Sequence, residues 1–190
     1  MTLYTIGHGT RSIDEFLETL RQAHIKLVVD VRAFPGSRTN PQFGKEPLRL
    51  ALRAAHIEYE HWPALGGRRR GLGPASPNVA WKHPAFRAYA DYMLDDAFWQ
   101  ALDELLQRAA QVPTAVMCSE TLWWRCHRRM IADAAVARGA RVIHLMKLGQ
   151  EREHVLSPIA HIEHGRVAYR QPANARARDE SARGRAASRA

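Results

Sequence analysis

The sequence predicts a single α/β domain, a mostly parallel sheet flanked by helices, over residues 1–169, with a basic disordered tail over residues 170–190. Three observations lead there. The chain has 190 residues, 46% hydrophobic and 25% charged, which suits one ordinary domain with a sizeable core. Two apolar runs, residues 25–31 and 114–117, have the composition of strands buried on both faces by crossover helices. Segments of helical spacing join each run to a neighbouring one, giving two strand-helix-strand units.

The elements follow in order. Residues 3–6 read as a first strand. Ser12-Ile13-Asp14-Glu15 supplies a capping box, after which Ile13, Phe16, Leu17 and Leu20 recur at helical spacing. The run at 25–31 completes the first unit. Residues 34–41 are turn-rich, and Pro47 with Leu48, Ala51, Leu52 and Ala55 predicts a short helix. Residues 57–61 alternate like a half-buried strand. The Gly, Pro and Arg content of residues 65–80 predicts a long surface loop, a candidate lid. Two helices follow, with Phe86, Tyr89, Ala90 and Met93 inward on the first and Phe98, Leu102, Leu105 and Leu106 inward on the second. The second unit comprises the strand at 114–117, a helix over 128–138 ended by Gly139, and a strand at 141–145. Residues 159–162 and 166–169, joined through His164-Gly165, predict a terminal hairpin.

The net charge of +9 is uneven, because the tail from Arg170 holds six arginines against Asp179 and Glu180. With almost no large apolar residue to offset the entropy of ordering, that tail reads as a solubilising or nonspecifically phosphate-binding segment. No apolar run approaches a membrane span and no signal-like start is present, so a cytoplasmic protein with no membrane partner is expected. Two cysteines are too few for a disulfide framework.

In parallel α/β sheets ligands bind beyond the carboxyl ends of the strands, where loops and helix starts project donors into one crevice. That rule selects His8, Asp30 and Arg32, the segment from Cys118 to Arg125, and His144 with Lys147. Cys118 ends a buried strand ahead of a helix start, a place that lowers a thiol's pKa and suits a nucleophile; the plainer reading is a small buried hydrophobe. Arg125, Arg128 and Arg129 crowd that helix start against its dipole, at a cost of roughly 0.3–1 kcal/mol each that a bound anion would relieve. Glu120 and Asp30 are candidate acid-base groups, though a structural ion pair with Arg32 is the simpler role for Asp30. His8, between two glycines, can lie close to a ligand. Cys118, Cys126 and His127 are all metal-ligand types, but no Cys-x-x-Cys pair is present, and adjacent helical side chains point about 100° apart. No metal site is therefore expected, and no cofactor is specified. Gly66-Gly67-Arg68-Arg69-Arg70-Gly71 could close over phosphate without being a P-loop.

Taken in order, Tyr4-Thr5-Ile6-Gly7-His8, Asp30-Val31-Arg32, Pro35, Ser37-Arg38, Phe43, Tyr59, Leu65-Gly66-Gly67, Tyr89-Ala90-Asp91-Tyr92-Met93, Met117-Cys118-Ser119-Glu120 and Cys126-His127-Arg128 resemble the domain-of-unknown-function 488 family, over about residues 3–148. The resemblance implies a bacterial-type α/β domain, sometimes linked to DNA repair, and no settled reaction. A more distant likeness is to rhodanese-type and low-molecular-weight phosphatase folds, where a strand-end Cys opens an anion-cradling loop. Those loops close with Arg six positions after the Cys; here Trp124 stands at that position and Arg125 follows.

The expectation is thus an enzyme acting on a phosphorylated, nucleotide or nucleic-acid substrate, with Cys118 and Glu120 reactive, His8 or Asp30 assisting, and Arg32, Arg38, Arg125, Cys126, His127 and Arg128 binding. The alternatives are a noncatalytic nucleic-acid-binding module and a thiolate metal-binding protein. The partner in the first two is an anionic small molecule or a nucleic acid.

Overall fold

A computed structural model describes residues 1–36 and 38–170. The basic tail expected over 170–190 lies, apart from Arg170, outside the described residues.

The first strand, β1 (Thr2–Gly7), leads to α1 (Ile13–Gln22). Ser12 caps that helix by accepting from the Glu15 N–H while the Glu15 carboxylate accepts from the Ser12 N–H, the reciprocal box its spelling predicts. β2 (Leu27–Asp30), α2 (Lys45–Ala54) and β3 (Glu58–His61) follow. The helix begins before Pro47, which sits in its first turn, where a missing N–H costs no helical bond. Then come α3 (Pro84–Tyr92), α4 (Asp96–Gln111), β4 (Thr114–Cys118), α5 (Arg128–Ala137) and β5 (Arg141–Lys147). An antiparallel edge strand, β6 (Gln150–Glu153), is exposed along its length and was invisible to apolar patterning. β7 (His161–Glu163) and β8 (Arg166–Ala168) form the expected hairpin, turned by His164 and Gly165 at φ of 50° and 72°.

The main sheet has the order β3-β2-β4-β1-β5-β6, parallel except for β6. Alternate side chains divide its faces. Leu3, Leu27, Val29, Val116 and Cys118 face α3, α4 and α5; Ile6, Val28, Ala115 and Met117 face α1 and α2. From β1 the chain crosses one way to β2, and from β4 it crosses the other way to β5. The strand order therefore reverses at β1 and β4, the two central strands, and a crevice opens beyond their carboxyl ends.

The segment 65–80 is not a free lid. The buried Asp91 carboxylate on α3 accepts from the Leu72 N–H at 2.8 Å, the Ser76 hydroxyl at 2.5 Å and the Asn78 amide at 2.9 Å. Those three bonds fix a stretch whose composition alone reads as loose, because a carboxylate from a distant helix supplies its hydrogen-bond partners.

Candidate functional site

The crevice is a cavity of about 640 Å³ at the carboxyl edge of the sheet. Its floor is Cys118, Cys126 and His127. Arg32 and His8 form one wall, and Phe34, Arg68, His83, Phe86, Trp124 and Arg125 surround the opening. Glu120 lines it as well.

The floor assembles because the chain between β4 and α5 doubles back. After Cys118 it makes a short 3₁₀ turn over Trp123–Arg125, and Cys126 is extended at φ −127°, ψ 151° before His127 caps α5. Cys126 and His127 are thus not successive positions of one helix, and the objection that they diverge by 100° does not apply. The Sγ atoms of Cys126 and Cys118 lie 3.6 Å and 4.0 Å from His127 Nδ1. All three ligand-type atoms fall within 4.8 Å of one another. The Cys126 thiol is held well below its ordinary pKa, first by the S–H of Cys118 and, against burial, by His127; donating that bond and burial both push Cys118 up.

Glycines allow this close approach. A Cβ on Gly67 would lie 2.5 Å from His127 Nδ1, and one on Gly7 would overlap the Glu120 carbonyl. Gly9, at φ +52°, leaves room for the Thr121 side chain. The glycines of Gly7-His8-Gly9 and Gly67, which the sequence offers as backbone able to approach a ligand, instead admit neighbouring parts of the chain itself. Gly67 lets its loop press against the His127 ring, and Gly7 and Gly9 let the loop after β1 close on Glu120 and Thr121.

Asp30 and Arg32 are occupied with each other. The Arg32 backbone N–H and Nε donate to Asp30 Oδ1 at 3.0 Å and 2.9 Å, its Nη2 donates to Oδ2 at 2.6 Å, and Tyr59 OH donates to Oδ2 at 2.8 Å. Burial, then Asp30, raises the Tyr59 pKa, so the phenol keeps its proton. Arg32 Nη1 donates to the Phe43 carbonyl at 2.8 Å and faces His8 Nε2 at 3.4 Å. His8 bonds the Gly9 carbonyl through Nδ1, stacks on Phe43 with centroids 4.4 Å apart, and has its pKa lowered chiefly by burial. With Nδ1–H donating, Nε2 is the acceptor. Asp30 and Arg32 are thus a closed structural pair whose edge borders the crevice.

Arg128 was expected to face a bound anion and is placed elsewhere. Its guanidinium is buried behind the floor, donating to the Glu120 carbonyl and, at 3.3 Å, to the Thr5 hydroxyl. Arg129 turns away to Ser157 and lies over the Trp81 ring. The first turn of α5 is closed by its own chain, with the Arg129 N–H donating to the Cys126 carbonyl. Of Arg125, Arg128 and Arg129, only Arg125 lines the crevice. Arg38 is exposed and does not line the crevice. Arg125 and Arg68 do, and neither has a carboxylate partner among the described residues. Glu120 accepts from the Leu122 N–H at 3.0 Å, so one carboxylate oxygen shapes its own loop.

Residues 12–135 match the sequence profile of the family described as domain of unknown function DUF488. The chain belongs to this family. The matched span takes in Asp30, Arg32, Gly67, Cys118, Glu120, Cys126, His127 and Arg128 and leaves out Gly7, His8 and Gly9 of β1 and its loop. No curated protein and no solved structure matches the chain.

Behind the floor lies a second feature of this chain, a buried run of hydrogen-bonded side chains. Arg128 Nη1 donates to Thr5 Oγ1, which lies 2.7 Å from His144 Nδ1; His144 Nε2 lies 3.0 Å from His154 Nδ1, and His154 Nε2 2.9 Å from Asp133 Oδ1. The Asp133 carboxylate accepts at the end of this run, and both ring nitrogens of each imidazole have a partner. Ser157 N–H and Tyr169 OH complete the Asp133 carboxylate, each at 2.8 Å. Trp123 stacks on His144 with centroids 4.1 Å apart, tying the 3₁₀ turn of the site to this chain.

Proposed function

We propose that this DUF488 protein is an enzyme that binds an anionic substrate, a phosphorylated small molecule or nucleotide, in the crevice and acts on it with the groups of its floor. The observation that carries this reading is one cavity with two guanidiniums, Arg68 and Arg125, free of carboxylates at its opening and two thiols and an imidazole at its base. Guanidinium forks match phosphate oxygens, and a cavity of about 640 Å³ is of the size that encloses a small ligand. Cys118, Cys126 and His127 are the groups placed to react; Glu120 and His8 border them.

The test is a titration of the full chain, followed by tryptophan fluorescence, with inorganic phosphate and nucleoside monophosphates at low salt. Saturable binding is expected, weakened at least tenfold in Arg68→Ala/Arg125→Ala. No saturable binding of any of these, or equal binding by the double variant, would overturn the reading.

A noncatalytic nucleic-acid module is the second reading, favoured by Phe34 and Trp124, which are 71% and 40% exposed at the opening and could stack on unpaired bases. Binding of short single strands with a steep salt dependence, and none of mononucleotides, would select it.

A further inference from the structure

We propose that Cys118, Cys126 and His127 form a three-ligand site for a zinc ion, with a fourth coordination position that opens on the crevice. Only the open position rests on the preceding reading of the crevice as a substrate site; the three ligands stand without it.

Geometry is the first argument. Tetrahedral zinc with Zn–S of about 2.3 Å and Zn–N of about 2.05 Å sets S···N edges of roughly 3.6 Å. The two S···N separations here are 3.6 Å and 4.0 Å, before any ion draws the ligands together. A redox dithiol would need the sulfurs alone, whereas here an imidazole nitrogen completes a triangle with both.

The second argument is hydrogen bonding. His127 is buried, and its Nδ1, the nitrogen turned to both thiols, meets only sulfur, a weak hydrogen-bonding atom. A buried imidazole nitrogen with such weak contacts calls for a stronger partner, and a metal bond at Nδ1 is one. The backbone has also been cleared for the ring: Gly67 approaches where any Cβ would lie 2.5 Å from Nδ1.

Ligand chemistry gives the third. Two thiolates and an imidazole at tetrahedral spacing select zinc over magnesium or calcium, which take oxygen. Three protein ligands leave one position, and the same three side chains line the cavity, so that position faces the space where Arg125 and Arg68 stand. Structural zinc is closed by four ligands; three ligands and an open face are the catalytic pattern. The ion would supply Lewis acidity at the base of the anion pocket.

The test uses the full chain, purified without chelator from zinc-supplemented medium, with elemental analysis, and the metal-free protein titrated with cobalt. About one zinc per chain is expected, together with a sulfur-to-cobalt charge-transfer band and the intense visible bands of tetrahedral cobalt. Cys118→Ser and Cys126→Ser should each lower cobalt affinity at least 100-fold, while Arg68→Ala/Arg125→Ala keeps the spectrum. Thiocyanate should shift the visible bands by entering the fourth position. Two free thiols or a Cys118–Cys126 disulfide in wild-type protein that takes up neither metal would overturn the site, whatever the folding of the variants. A cobalt spectrum indifferent to thiocyanate would overturn the open position. Phosphate binding without metal uptake would sink the zinc site and leave the anion pocket, and metal uptake without anion binding the reverse.

Discussion

Two buried polar groupings lie a few residues apart in this fold, and they are built on opposite principles. In the chain Thr5–His144–His154–Asp133, every side-chain nitrogen and oxygen has a partner at 2.7–3.0 Å. In the floor Cys118–Cys126–His127, the imidazole contacts are 3.6 Å and 4.0 Å, they fall on sulfur, and His127 Nε2 is buried with no partner among the described residues. Both contain histidine beside other titratable groups. A saturated network holds structure, because removing any member strands the next; an unsaturated one is held in place by its surroundings and retains valence for something else. Arg128 joins the two, with its guanidinium on Thr5 and on the Glu120 loop.

The contrast breaks most visibly at the glycines. Gly7→Ala would drive a Cβ into the Glu120 carbonyl and against Arg128, backbone and buried cation that have nowhere to go. We expect a loss of more than about 3 kcal/mol, or no folded protein, in urea unfolding.

Asp133→Ala attacks the saturated side. It leaves His154, Tyr169 and the Ser157 N–H without an acceptor, and an expected loss of about 3 kcal/mol should appear as a lower unfolding midpoint. Cobalt binding should survive wherever the variant is folded, and its loss at low denaturant would show that the two groupings are not separable.

The pH dependence of stability follows from His144, whose pKa burial and His154 push down to about 2. The unfolded chain takes up a proton below pH 6.5 that the folded protein refuses until about pH 2, so stability falls as pH drops through this window. The slope from this group is about 1.4 kcal/mol per pH unit. His144→Gln should flatten that slope between pH 6 and about 4 in a series of urea titrations. An unchanged slope would mean that the imidazole is protonated in the folded chain.

The smallest effect on stability belongs to the crevice opening. Arg68→Ala and Arg125→Ala should change the unfolding free energy by no more than about 0.5 kcal/mol, since neither guanidinium has a carboxylate partner among the described residues. If either costs more, that arginine serves the fold.

Much of this architecture is legible in the amino-acid order. The capping box at Ser12, the buried runs of β2 and β4, and the hairpin at His164-Gly165 carry local signals, periodicity or backbone chemistry, that the structure repeats. β6 carries none, being a polar strand that exists because β5 offers it an edge. The segment 65–80 looked loose because its anchor, Asp91, lies on another element. For the site, the edge-of-sheet rule was enough to select His8, Arg32, Cys118 and Glu120 as neighbours of one crevice. The same rule also selected His144, which lies in the buried chain instead, and the helix-dipole argument did not place Arg128 and Arg129, because the direction of a long side chain at a helix start depends on which acceptors the rest of the fold presents.

The sequence by itself determined which strands are buried, where helices start, and that thiols, imidazoles and guanidiniums collect at one edge, since those follow from composition and period. Whether Cys118, Cys126 and His127 diverge or converge was decided only in three dimensions. The answer depends on one extended residue before α5 and on two glycine loops pressing in from elsewhere, a balance of backbone angles and contacts that no local pattern encodes.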